Sequence, residues 1–228
     1  MFQDTLDQLS TKTQGREAFI TKSYQHLLLA VGTFIAFEYY LFQSGLAERI
    51  AQVLFGNWLL VIGGFMVVAY LASSVAASAQ TKGAQYAALF GFSMAEAIIF
   101  VPLVYFAEMK LPGVVKTAAV ATGLAFLGLT AIAFQTRKDF SFMGGFLRWG
   151  GFIALGLIVG SLLFGFELGF LFTAAMLLYA GAAILYETSN IIHHYPEDRY
   201  VSAGLGLFSS VMLMAWYMIQ AVMSLSGD

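Results

Sequence analysis

The stretch Ala183-Ile184-Leu185-Tyr186-Glu187-Thr188-Ser189-Asn190-Ile191-Ile192-His193-His194 begins as an apolar helix pattern and ends with an acid, an amide and two histidines. At 100° per residue, Glu187, Asn190 and His194 fall on one face. An ionisable residue inside a membrane-length apolar run is costly, so it marks a candidate functional position whose partner must lie elsewhere in the chain.

The surroundings of that stretch define its solvent. The 228 residues are 60% hydrophobic and only 11% charged, with mean hydropathy +0.80. An ordinary soluble domain is about half apolar and about a quarter charged. The composition therefore predicts an all-α integral membrane protein. A net charge of −2 leaves no basic footprint for nucleic acid. The absence of cysteine excludes disulfides, thiol catalysis and thiolate metal sites.

Seven apolar runs of about 20 residues are each long enough to cross a hydrocarbon core about 30 Å thick. They lie near 23–43, 57–77, 85–106, 115–134, 145–165, 168–192 and 201–223. Short links predict antiparallel neighbours in one compact seven-helix bundle, residues 23–228. Residues 1–22 carry both signs of charge and read as a cytoplasmic, mobile tail without a cleavable signal, although Phe2, Leu6 and Leu9 hint at an amphipathic turn. Lysines and arginines fall mostly on the side of that tail: Lys12, Arg16, Lys22, Lys82, Arg137, Lys138, Arg148 and Arg199, against Arg49, Lys110 and Lys116. The positive-inside rule then places the N-terminus in the cytoplasm and Asp228 outside.

Four features of the runs bear on function. Glu187 lies about 7 to 8 Å from the cytoplasmic end of the sixth run and Arg148 about 5 Å into the fifth, so the two are expected to pair as a charge latch. Glu96 stands about 16 Å into the third run with no basic residue at that depth, a proton- or cation-binding position if it lines a hydrated cavity. Ser202, Gly206 and Ser210 recur every fourth residue in the last run, which marks a closely packed helix. His26, His193 and His194 lack HExxH or HxxxH spacing, and no nucleophile triad, phosphate loop or dinucleotide fingerprint occurs. Neither an enzyme nor a resident metal or cofactor is expected.

Two segments carry a resemblance. Thr136-Arg-Lys-Asp-Phe-Ser-Phe-Met-Gly-Gly145 and Leu185-Tyr-Glu-Thr-Ser-Asn-Ile-Ile-His193 resemble the Bax inhibitor family, also called the transmembrane Bax inhibitor motif family, over about 95 C-terminal residues. They look most like its proteobacterial branch. The resemblance implies a seven-helix bundle with the C-terminal helix at its centre. It also implies an inner-membrane protein that modulates an FtsH-type membrane protease by protein contact, its tail being the part the protease grips. Many members carry two aspartates that act as a pH-sensitive latch for a cation leak, with calcium as the transported ion. Here Glu187 matches the first position and Ser210 stands at the second. One acid and one hydroxyl cannot share a proton as two acids do. Glu96 is an acid gained where the family usually has a small residue.

Overall fold

The computed structural model describes the backbone of residues 2–78 and 81–227, and side chains from Gln14 onward except at 58, 60, 61, 65 and 77. Within these bounds every regular element is a helix: α1 (Phe2–Gln43), α2 (Leu46–Phe55), α3 (Trp58–Ser78), α4 (Lys82–Lys110), α5 (Val114–Thr136), α6 (Met143–Phe164), α7 (Gly169–His193) and α8 (Tyr200–Ser226). Lipid offers no partner to backbone N–H and C=O groups, so a spanning segment must satisfy them within itself. Among the described residues, six helices are long and apolar enough to cross a membrane: Gln14–Gln43, α4, α5, α6, α7 and α8. The run expected over 57–77 coincides with α3, whose apolar stretch Ile62–Ala76 is shorter.

The helix ends bear on two expectations. The division expected at residue 22 falls inside α1, which runs from Phe2 to Gln43 and buries Phe19 and Ser23 on either side of it. Arg16 ties this part of α1 to the bundle, its guanidinium reaching the end of α7. The side chains of Phe2, Leu6 and Leu9 lie outside the described residues. Residues 44–56, read as a link, contain α2, a ten-residue amphipathic helix that buries Ala47 and Ala51 beside Leu41 and Val101. Ten residues are too few to span and carry no membrane-length signal.

Helices stop where the chain can turn. At Gly165, φ is 72°, and its N–H closes α6 on the Ser161 carbonyl at 2.9 Å, a left-handed cap that costs glycine nothing. Arg137 caps α5 at φ 48°, the one non-glycine residue with positive φ among the described residues. Pro102 is buried within α4, which continues through it to Lys110.

The main core draws on much of α8, which packs against α1, α3, α4, α5 and α7. Val201, Ala203, Leu207 and Phe208 are fully enclosed, joined by Leu89 and Phe92 from α4 and Ile184 and Ile191 from α7. Aromatic edges link three helices: Phe34 of α1 meets Phe100 and Phe208, and Phe92 and Phe100 of α4 meet Phe208 and Trp216 of α8. By contrast, α6 packs chiefly on α7. The faces that remain, including Leu124, Leu171 and Leu178, are exposed and apolar, as a lipid-facing surface must be.

Candidate functional site

At the end of α7 the stretch that organises the sequence meets four other parts of the chain. Ser189 Oγ accepts the Phe140 N–H at 2.8 Å and donates to the Lys138 carbonyl at 3.5 Å. His194 Nε2 meets Asp139 Oδ2 at 2.9 Å. The α5–α6 link is thereby clipped to α7 at three consecutive residues, 138, 139 and 140. The two segments that resemble the Bax inhibitor family are thus one contact surface. Gly144 lets the Tyr186 ring approach, since a Cβ there would lie 3.0 Å from it.

The last turn of α7 is closed from two directions. The N–H groups of His194 and Tyr195 donate to the Asn190 carbonyl at 2.8 and 2.9 Å. From α1, Arg16 Nε donates to the Ile192 carbonyl at 2.9 Å and Nη1 to the Tyr195 carbonyl at 2.5 Å. Those carbonyls have no partner within the helix, and a cation is favoured at a helix C-terminus.

Glu187 points to α8 and not to α6. Tyr195 Oη donates to its Oε2 at 3.4 Å, and a Cβ on Gly206 would sit 3.0 Å from the same oxygen and 3.3 Å from Tyr195 Oη. Glycine at 206 is what allows the carboxyl, the phenol and α8 to meet. Burial, and then the Glu187 charge, push the Tyr195 hydroxyl well above its ordinary value, so it remains a donor at all physiological pH.

The expected Glu187–Arg148 latch does not form. Arg148 is exposed, and no ion pair joins it to Glu187 among the described residues. The cause is rotational. Leu147 is buried and its carbonyl accepts from Tyr179 Oη at 2.8 Å, so that edge of α6 faces α7. One residue on, about 100° around the helix, Arg148 faces away. Asn190 and His194 are near Glu187 in sequence yet serve different contacts, the first through its backbone and the second through Asp139.

Glu96 and Ser210 come together elsewhere. Both are buried, at 6% and 8% exposure, and both line a cavity of about 910 Å³ bounded by α3, α4, α6, α7 and α8. Ser210 Oγ donates to the Gly206 carbonyl at 3.2 Å. The cavity reaches Ser210 and Ala183, each one helical turn from the Gly206–Glu187 contact. No hydrogen bond or ion pair engages the Glu96 carboxyl among the described residues, and none of their His, Asp and Glu side chains cluster as a metal site.

Sequence reasoning missed Arg16, Asp139, Ser189 and Tyr195 as partners. Only Asp139 and Ser189 carried a signal, since both stand in the segments quoted for the resemblance. Arg16 and Tyr195 are brought in by long-range packing that no periodicity encodes.

Asp139 supplies a test of the clip. Its carboxyl sits at about 2, below the ordinary 3.8, held first by the Ser141 backbone N–H, then by the Ser141 hydroxyl and His194. A carboxyl lowered in the folded state contributes stability that is present above its ordinary value and lost as pH falls through its folded value. Protection of the Ser141 amide from hydrogen exchange, relative to its intrinsic rate, is therefore expected to hold down to about pH 4 and to fall between about pH 4 and 2. Asp139→Asn should lower that protection at neutral pH.

A helical bundle with six candidate spans, a hydrogen-bonded clip and a polar-tipped cavity is a multi-pass membrane protein. The sequence model of the family described as inhibitor of apoptosis-promoting Bax1 matches residues 16–227, and the chain belongs to this Bax inhibitor family. It is 37% identical over 118 residues to an uncharacterized protein of Pseudomonas aeruginosa, covering 50% of this chain and 52% of that one. It is also 37% identical over 99 residues to the modulator of FtsH protease YccA of Escherichia coli K12, covering 43% and 45%, and 29% identical over 137 residues to the Golgi anti-apoptotic protein of vaccinia virus strain Lister, covering 58% and 55%. The matched stretch spans about half the length of each of these relatives.

Proposed function

We propose that this protein is an inner-membrane regulator that modulates an FtsH-type membrane protease by direct contact and catalyses no reaction itself. The observation that carries the reading is the 37% identity to a protein described as a modulator of that protease, which in another strain is described as an inner membrane protein. In this reading α3 completes a seven-span bundle around α8, with the N-terminus cytoplasmic and the C-terminus periplasmic. The excess of lysine and arginine on the side of the N-terminus supports that orientation. The clipped end of α7, the 138–140 link and Arg16 then form a rigid cytoplasmic surface, and residues 2–13 are the handle the protease takes.

The test removes residues 2–13 and leaves Arg16 and Phe19 in place. Full-length protein is expected to slow degradation of a second membrane substrate by the purified protease in proteoliposomes, and the shortened protein is expected to have lost that effect. Equal rates with both proteins would sink the handle.

A cation leak, with calcium as the ion, is the second reading. It is favoured by the approach of the cavity to within one turn of Glu187. Proteoliposome calcium flux that is unchanged in Glu187→Gln would count against it.

A further inference from the structure

The cavity that holds Glu96 has a chemistry of its own. Among its lining residues are two carboxylates, Glu96 within and exposed Glu167 on the α6–α7 link, but no lysine, arginine or histidine. An anionic ligand has no counter-charge there. The remaining surface is mainly apolar, with the aromatic side chains of Phe100, Phe172, Tyr179, Trp216 and Tyr217 contributing.

The position of Glu96 follows from its neighbours on α4. Phe92 packs on Phe208 with centroids 6.0 Å apart, and Phe100 packs on Trp216 at 5.1 Å, so Glu96, midway between them, lies level with the middle of α8. There it is more than nine-tenths buried, lines the cavity, and has no hydrogen-bonding or charged partner among the described residues. An unpartnered buried carboxyl is costly wherever water is scarce, which points to a partner supplied from outside the chain.

The lining decides what kind of cation that partner is. A hard metal ion held in place gathers about six to eight oxygen ligands, carboxylates foremost, whereas this cavity sets one inner carboxylate among seven hydroxyl side chains and a majority of carbon, and no three acidic or histidine side chains cluster as a metal site among the described residues. Aromatic faces attract weakly hydrated organic cations through the ring quadrupole, most strongly where water is excluded. The volume of about 910 Å³ lies within the range of about 300–1,000 Å³ of small-molecule sites.

We propose that this cavity is a binding site for a hydrophobic organic cation, with Glu96 as the counter-ion and Trp216, Tyr217, Phe100 and Phe172 as the surrounding aromatic wall. The site is separate from the clip at the end of α7 and does not depend on contact with a protease.

The test uses tetraphenylphosphonium, neutral triphenylphosphine oxide and anionic tetraphenylborate in equilibrium dialysis against the full chain in zwitterionic nanodiscs, with empty nanodiscs subtracted. The unaltered protein is expected to bind the cation at least about tenfold more tightly than either comparison compound. Glu96→Gln should lose that preference, Glu96→Asp should keep most of it, and Glu48→Gln, on the exposed face of α2, should leave it unchanged. Equal binding of cation and neutral compound by the unaltered protein would overturn the proposal and leave a cleft for lipid chains; so would an undiminished preference in Glu96→Gln. The first comparison needs no variant, so it decides the matter even if a substitution at 96 fails to fold.

Discussion

Gly204→Ala is expected to lower the stability of the detergent-solubilised protein by about 1–3 kcal/mol, the usual cost of forcing extra volume into a packed contact. A Cβ at 204 would lie 2.7 Å from the His26 Cβ, 2.9 Å from the Ser23 carbonyl oxygen and 3.1 Å from the Leu27 nitrogen. Two of those three atoms are backbone of α1. A rotamer change cannot relieve them, so α1 and α8 must separate. Separation would also disturb the His26 ring, which bridges the Lys22 carbonyl at 2.7 Å and Tyr86 Oη at 2.8 Å. Against this stands the better helix propensity of alanine, worth up to about 1 kcal/mol, which the clash outweighs. Gly91→Ala is the control. No heavy atom lies within 4 Å of a Cβ there, so the propensity gain should act alone and stability should stay level or rise. Thermal unfolding followed by Trp fluorescence compares the two, and equal midpoints would show that close approach of α1 and α8 at Gly204 contributes nothing.

Phe208→Ala is expected to cost about 3 kcal/mol. In a water-soluble core part of such a loss is the lost transfer of apolar surface out of water. Here the separated helices would still lie in lipid, which is as apolar as the core, so that part largely disappears. What remains is the cavity left by a fully enclosed ring and two edge-to-face contacts, to Phe92 at 6.0 Å and Phe34 at 6.5 Å. Each such contact is worth about 0.5–1.5 kcal/mol beyond burial. Phe208→Leu, which refills most of the volume and lacks the ring, should lose about half as much, and the difference between the two variants measures the void. Unfolding in a graded denaturing-detergent titration separates them. If alanine and leucine proved alike, the void would carry no energy and packing in this core would be loose.

The extents of the spans were legible because lipid leaves the backbone few choices. Expected runs at 85–106, 115–134, 145–165, 168–192 and 201–223 each fall on one helix, α4 to α8. The amphipathic α2 escaped because its ten residues are too few to register among membrane-length apolar runs, although its helical period is plain. The candidate side chains were legible as polar residues in apolar runs; the structure places Glu187, the Asn190 backbone and His194 around the end of α7, and Glu96 and Ser210 on one cavity. The partners were not legible. Arg148 was chosen for Glu187 on depth, and its depth says nothing about its direction.

By itself, the sequence determined membrane residence, helical spans, their lengths and the depth of each polar residue, since hydropathy and a rise of 1.5 Å per residue are local properties. The tertiary structure alone decided azimuth and pairing: that Glu187 turns to Tyr195 and Gly206, that Asp139 meets His194, and that Arg16 closes α7 from 176 residues away. Rotation of a helix about its axis is set by which side chains fit against its neighbours. Those neighbours are distant in the chain, so no local pattern records them.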